Sequence, residues 1–169
     1  LDSVHILQAA TKLMEGYDMN GNELSGIPEF FLGASVTPFY DPLELQIIKM
    51  KKKIQAGAKF FQTQAVYDIK VIKNFMEKVK DFDTKVLVGV IPLKSAGMAK
   101  YMNKNVPGIH VPDDIIQRME KAQDKTKEGL TIAAEFIQQI HEEKICDGVH
   151  IMAIGAEENV PILLDMCGF

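Results

Sequence analysis

Gln64, in the run FFQTQA from Phe60 to Ala65, is the residue whose type and placement say most about chemistry. A primary amide presents donors and an acceptor together, which suits a heterocycle whose edge alternates the two, such as a pterin. It does not act as an acid or base near neutral pH. A neighbouring strand or loop would use the same amide equally well, and the residue alone does not separate the two roles. Lys49, Lys51, Lys52 and Lys53 form the one dense basic run. Lys49 and Lys53 share a helical face at i and i+4, where a pyrophosphate could lie between their ammonium groups. A solvated outer helix face accounts for the same run with no ligand at all.

The remaining polar residues offer less. His110 and His150 have no second ligand at metal spacing, so neither is read as a metal site. His5 and His141 read as helix-surface residues. Asp113 and Asp114 follow Pro112 at a helix start, and Glu157 and Glu158 precede another; in both places the helix dipole favours negative charge. Met152 and the other methionines read as core filling. Cys146 and Cys167 stand apart from each other and from any CxxC pattern, which fits a reducing, cytoplasmic setting.

These residues must be held by ordinary folded structure. The 169 residues are 47% hydrophobic and carry 19 Lys+Arg against 23 Asp+Glu, a formal charge of -4. That composition excludes disorder and rods and argues against a polyanion-binding surface, so no nucleic-acid partner is expected. No apolar run is long enough to span a membrane, and no membrane partner is expected. The chain opens at Leu1 inside a helical pattern, so a fragment of a longer reading frame is expected.

Four apolar runs read as strands: Phe30 to Thr37, Phe60 to Ala65, Val86 to Ile91 and Gly148 to Ile154. Each is mostly apolar on successive residues rather than alternating, the pattern of parallel strands covered on both faces. Helical patterns separate them. Leu43, Ile47, Met50 and Ile54 make one stripe, closed by Gly57. Ile69, Ile72, Phe75, Met76 and Val79 make the next, capped by Asp68. Ser95 caps a segment with Met98 and Met102, and Pro112 opens one with Ile115, Ile116 and Met119. Lys127 to Glu143 reads as a longer helix, with further helices at Val4 to Met14 and Val160 to Met166. The loop from Glu15 to Glu29 is the longest connection and reads as the flexible one.

Strand and helix alternate, which leaves a doubly wound sheet or a (β/α)8 barrel. Neither GxGxxG nor GxxxxGK[ST] follows any strand, so the nucleotide fingerprints of the first are missing. A barrel needs eight strands, typically in about 250 residues. Four strands make about half of one, read as a single domain over residues 1–169, with two open edges that self-association or a partner chain must cover. The carboxyl ends of the strands, where such folds keep their chemistry, carry Thr37, Gln64, Lys94 and Glu157 but no His, Cys or paired acids.

Five segments in this order, GASVTPFYDP, KKKIQAGAKFFQTQ, VLVGVIPLKS, NVPGIHVPDDIIQRM and GVHIMAIGAEENVPILL, resemble the methylenetetrahydrofolate reductase family. The resemblance runs from Asp2 onward and covers the C-terminal part of that family's catalytic barrel. It implies an FAD-containing TIM barrel that reduces 5,10-methylenetetrahydrofolate to 5-methyltetrahydrofolate, with electrons from NAD(P)H or a redox partner protein.

By the same resemblance Gln64 contacts the folate pterin. Lys53, and with it Lys49 and Lys52, lies on the helix touching the phosphate and ribose end of FAD, and Thr37 falls in the strand-end motif that meets the cofactor. Two positions depart from the family. Gln46 stands where some members have an FAD-contacting acid, and Ala96 lies near a position where an aromatic stacks on folate. The family's folate-protonating glutamate and flavin-side aspartate belong to strands preceding Leu1, so no catalytic residue is expected in this chain, which alone should be inactive. Two other readings stay open: a non-catalytic folate- or flavin-binding or scaffolding subunit, and a folate-binding methyltransferase barrel.

Overall fold

The computed structural model describes residues 2–169. Helix α1 (Ser3–Met14) is followed by β1 (Gly33–Val36), α2 (Leu43–Gln55), β2 (Phe60–Ala65), α3 (Ile69–Val79) and β3 (Lys85–Val90). Three helices, α4 (Ala96–Asn105), α5 (Asp113–Lys121) and α6 (Lys125–Glu142), then lead to β4 (Gly148–Ile151) and α7 (Val160–Cys167). All strand pairs are parallel and the spatial order is β1-β2-β3-β4. A doubly wound sheet reverses its strand order at a switch point. An unreversed sequential order is the arc of a barrel, so the fold is a partial (β/α)8 TIM barrel of four strands with flanking helices.

Local chemistry makes these elements. Asp68 accepts the Lys70 N–H, Ser95 the Met98 N–H and Asp124 the Lys127 N–H, each filling an orphan donor of a helix start. Gly57 ends α2 at φ +110, where a Cβ would also lie 2.4 Å from Thr11 Oγ1 on α1. The expected stripes are buried: Ile72, Phe75 and Val79 on α3, and Leu130, Ala133, Ala134, Ile137 and Ile140 on α6. They pack on Phe61, Val86, Val88 and Val90, each large side chain contributing roughly 1.5–3 kcal/mol by leaving water.

The strands depart from the reading of two covered faces. Helices cover one face, while Ser35 and Gln62 on the other are exposed and every β4 residue is only part-buried. Apolar runs reported the packed helical side and did not report that the second face lies open. The ends also shift. β1 begins at Gly33, because Phe30 and Phe31 are exposed, with Phe31 stacked on Phe60 at 5.4 Å. β4 stops at Ile151, before Ile154 turns to φ +47. The Glu15–Glu29 loop is organised by an antiparallel Tyr17–Glu23 bridge and by Asp18, which accepts the Asn20 and Asn22 N–H groups at 2.8 Å.

At the amino ends of the strands, Asp147 accepts from Lys85 Nζ at 2.8 Å and from the Val86 N–H at 2.9 Å, joining β3 to β4. Burial pushes this carboxyl up, but the two hydrogen bonds and the Lys85 charge bring it below the usual aspartate value. A folded pKa below the unfolded one adds stability that is present above the unfolded value and is lost as pH falls through the folded one. Asp147→Asn is therefore expected to cost stability at about pH 7 and less at about pH 2, well below the ordinary aspartate range. Urea midpoints at the two pH values check this, and an equal difference at both would contradict it.

Candidate functional site

Thr37 and Gln64 stand at the carboxyl ends of the neighbouring strands β1 and β2, which run in register up to Val36 and Thr63. The β2–β3 register slips just there: Gln62 pairs with Leu87, but Ala65 pairs with Gly89. Two β2 residues, Thr63 and Gln64, therefore face the single residue Val88. Such a bulge bends its strand and re-aims a side chain, and bulges concentrate beside active sites.

Gly89 makes the bend possible. A Cβ there would lie 2.5 Å from the Thr63 carbonyl oxygen and 3.1 Å from the Gln64 carbonyl carbon, so the β2 backbone passes directly over it. The methyl of Met152 lies 2.9 Å from the same point. Across the ladder Gly89 pairs with His150. Burial lowers the His150 pKa from its ordinary value, so at pH 7 the ring is neutral and offers one donor and one acceptor. Gln64, at the bulge on the end of β2, is part-exposed, and Gly89 and His150 lie beside it on β3 and β4.

The segment around α4 and α5 leans over this end of the sheet. Gly108, at φ +84, sits against Thr37, whose methyl would be 2.3 Å from a Cβ there, and His110 stacks on Phe39 with ring centroids 4.9 Å apart. Ile91, Leu93, Ala99, Met102 and Ile109 share one apolar cluster beneath the roof so formed, with Met152 packed against it. On the far side Lys94 Nζ donates to the carbonyls of Ile154 and Gly155. That clamp holds Ile154 at φ +47, a conformation costing a β-branched residue about 1–3 kcal/mol.

The basic helix is divided by the fold. Lys53 reaches the free edge of β1 and donates to the Ser35 carbonyl at 2.6 Å. Partial burial, and then repulsion from Lys49, lower its pKa from the ordinary lysine value. Lys12, Lys78, Lys85 and Lys100 pair with carboxylates, whereas Lys53 feels the charge of Lys49 and, with opposite sign, that of Asp2. Lys52 is exposed, about 100° around the helix from Lys53. Lys51 lies over the Phe82 ring, 5.4 Å from its centroid. Lys53 at the free β1 edge, with Lys49 about one helical turn before it, offers positive charge of the kind that fits the phosphate end of a dinucleotide such as FAD.

Gln64 and Thr37 are thus brought together at the strand ends, while Lys49 and Lys53 lie lower, beside β1. Sequence reasoning did not find the Phe39–His110 stack or the Lys94 clamp, which join residues far apart in the chain and leave no local signal. His150 was set aside as a metal ligand, and its alternation with Gly148 along β4 was the available clue to its face. Among the described residues no group of three His, Cys, Asp or Glu could hold a metal ion, and no helix is long and apolar enough to cross a membrane. A cavity of about 180 Å³ lies in the helical layer, walled by Tyr67, Ile132 and Phe136, with the Arg118–Glu135 ion pair beside it. It lies among the helices on the covered face of the sheet, and Gln64 does not line it.

Comparison with known proteins agrees with this architecture. The sequence model of the methylenetetrahydrofolate reductase family matches residues 30–168. The curated "Methylenetetrahydrofolate reductase 2" of Schizosaccharomyces pombe is 26% identical over 141 residues, which is 76% of this chain and 22% of that protein. A solved structure, described as an uncharacterized protein from Clostridium thermocellum that binds two copies of 5-methyl-5,6,7,8-tetrahydrofolic acid, superimposes with a TM-score of 0.55 at 18% identity. The match covers 80% of this chain and 51% of that one. The chain therefore spans about a fifth of the curated relative and half of the structural one.

Proposed function

The chain belongs to the methylenetetrahydrofolate reductase family, and on that premise we propose that it supplies the folate-contacting part of a flavin-dependent reductase barrel. The observation that supports the reading is the β2 bulge, which takes the part-exposed Gln64 out of the regular β2–β3 pairing at the strand ends, beside Thr37. There the amide pairs with the donor–acceptor edge of a pterin, and neutral His150 borders the same surface. The structural relative's description as a 5-methyltetrahydrofolate-binding protein supports the ligand class. Isothermal titration with 5-methyltetrahydrofolate tests it: saturable one-site binding is expected, and its absence would overturn the reading.

FAD is the proposed cofactor. Bound, it would pass a hydride to the folate one-carbon group, with electrons from NAD(P)H or a redox partner protein. Lys49 and Lys53 hold its phosphates along the β1 edge, Lys52 adds positive potential, and Thr37 borders the flavin side. In this reading the acid and base of the reaction come from other barrel strands, which also cover the free edges of β1 and β4. Those strands belong either to the same polypeptide, to a second copy of this chain or to a partner chain.

Flavin fluorescence titration tests the basic edge. Lys53→Ala is expected to weaken FAD binding about tenfold, the scale of one hydrogen bond to a charged group, and Lys49→Ala somewhat less. Wild-type affinity in both variants would remove the helix from the cofactor site.

A further inference from the structure

We infer that Thr63 is a positioning residue for Gln64, holding the bulge that presents the amide; this rests on the folate reading of Gln64. Thr63 is 3% exposed, the single buried polar side chain among the described residues. Its hydroxyl accepts the Gly89 N–H at 2.9 Å and donates to the Gln64 carbonyl at 2.6 Å. The ladder resumes one step later, where the Val66 N–H reaches the Gly89 carbonyl at 3.1 Å.

In a regular parallel ladder the Gly89 N–H would take a backbone carbonyl of β2. Here, at the extra residue, the Thr63 hydroxyl oxygen takes the Gly89 N–H. One hydroxyl therefore ties together two backbone groups at the bulge, a donor on β3 and an acceptor on β2. Buried backbone groups without partners are rare because each carries the full desolvation penalty. Remove the hydroxyl, and β2 either straightens to recover the rung or leaves two groups unpaired. Straightening withdraws the Thr63–Gln64 peptide from its place over Gly89 and moves the Gln64 amide with it.

Serine keeps the hydroxyl, valine keeps the shape without it, and serine cannot rescue a role that depends on the methyl alone. The experiment compares Thr63→Val and Thr63→Ser by 5-methyltetrahydrofolate titration and thermal unfolding, each alone and combined with Gln64→Ala, and reads the NMR shifts of the Gln64 side-chain amide in the single variants. Thr63→Val is expected to weaken binding about fivefold and shift the Gln64 amide resonances, with Thr63→Ser within about twofold of wild type. In the Gln64→Ala background Thr63→Val is expected to change affinity by less than about twofold, because its effect passes through the missing amide.

Equal loss in both backgrounds, or Gln64 resonances unmoved by Thr63→Val, would overturn the positioning role while leaving the folate reading intact. Failure of the wild-type chain to bind overturns the folate reading and this inference with it. Should Thr63→Val aggregate, Thr63→Ala makes the same comparison.

Discussion

Replacing Gly129 with alanine is expected to lower the melting temperature by about 6–12 °C, corresponding to about 3 kcal/mol in a domain of this size. Gly129 lies in the second turn of α6, where the helix crosses the chain leaving β3. A Cβ on it would stand 1.7 Å from the Leu93 carbonyl oxygen and 2.7 Å from the Leu93 carbonyl carbon. Both are backbone atoms, so no rotamer change relieves the overlap, and either α6 or the Pro92–Lys94 segment must move. That segment carries Lys94 and its clamp on Ile154, so the damage reaches the strand ends. Gly97→Ala is the control. Its Cβ would meet only Ser95 Oγ, at an ordinary 3.6 Å, and in α4 alanine is favoured over glycine by up to about 1 kcal/mol. Differential scanning calorimetry of both variants checks the pair; a Gly129→Ala variant as stable as wild type would contradict the helix–strand contact.

Gln64→Ala carries the largest expected effect on binding. The Gln64 side chain is part-exposed, and the residue enters the bulge network only through its backbone carbonyl. Truncating the amide therefore leaves the fold intact, and thermal unfolding should change by no more than a surface substitution, within about 0.5 kcal/mol. The ligand fares differently. A pterin edge held by the amide loses a donor and an acceptor contact at once, and its own polar groups are left unpaired against protein. That combination is worth about 10- to 100-fold in affinity. A loss of that size with unchanged stability separates a ligand contact from a structural hydrogen bond, the two roles that the residue type alone left open.

Much of this was legible where the determinants are local. The stripes of α3 and α6 and the Asp68 and Ser95 caps depend on residues within a few positions of each other. β2 shows the boundary of that legibility. Its limits at Phe60 and Ala65 were readable from the apolar run, but the extra residue at Thr63–Gln64 exists only relative to β3. Gly89, Gly108 and Gly129 look alike in the sequence, yet each is required by a different distant group: the β2 backbone, Thr37 and Leu93. The open face was illegible for a related reason. A strand packed on one side by helices and lining a barrel interior on the other carries mostly apolar residues with a few polar ones such as Ser35 and Gln62, whichever strands stand opposite. Family resemblance singled out Gln64 and Lys53, and the fold adds the bulge that holds the first and the strand edge that receives the second.

Isothermal titration of the wild-type chain and Gln64→Ala with 5-methyltetrahydrofolate, at matched concentration and with unfolding curves for both, tests the central claim most directly. The account predicts one-site binding by the wild type and at least about tenfold weaker binding by a variant of equal stability. Equal affinity in the two proteins would contradict it, and would place any folate contact elsewhere on the barrel.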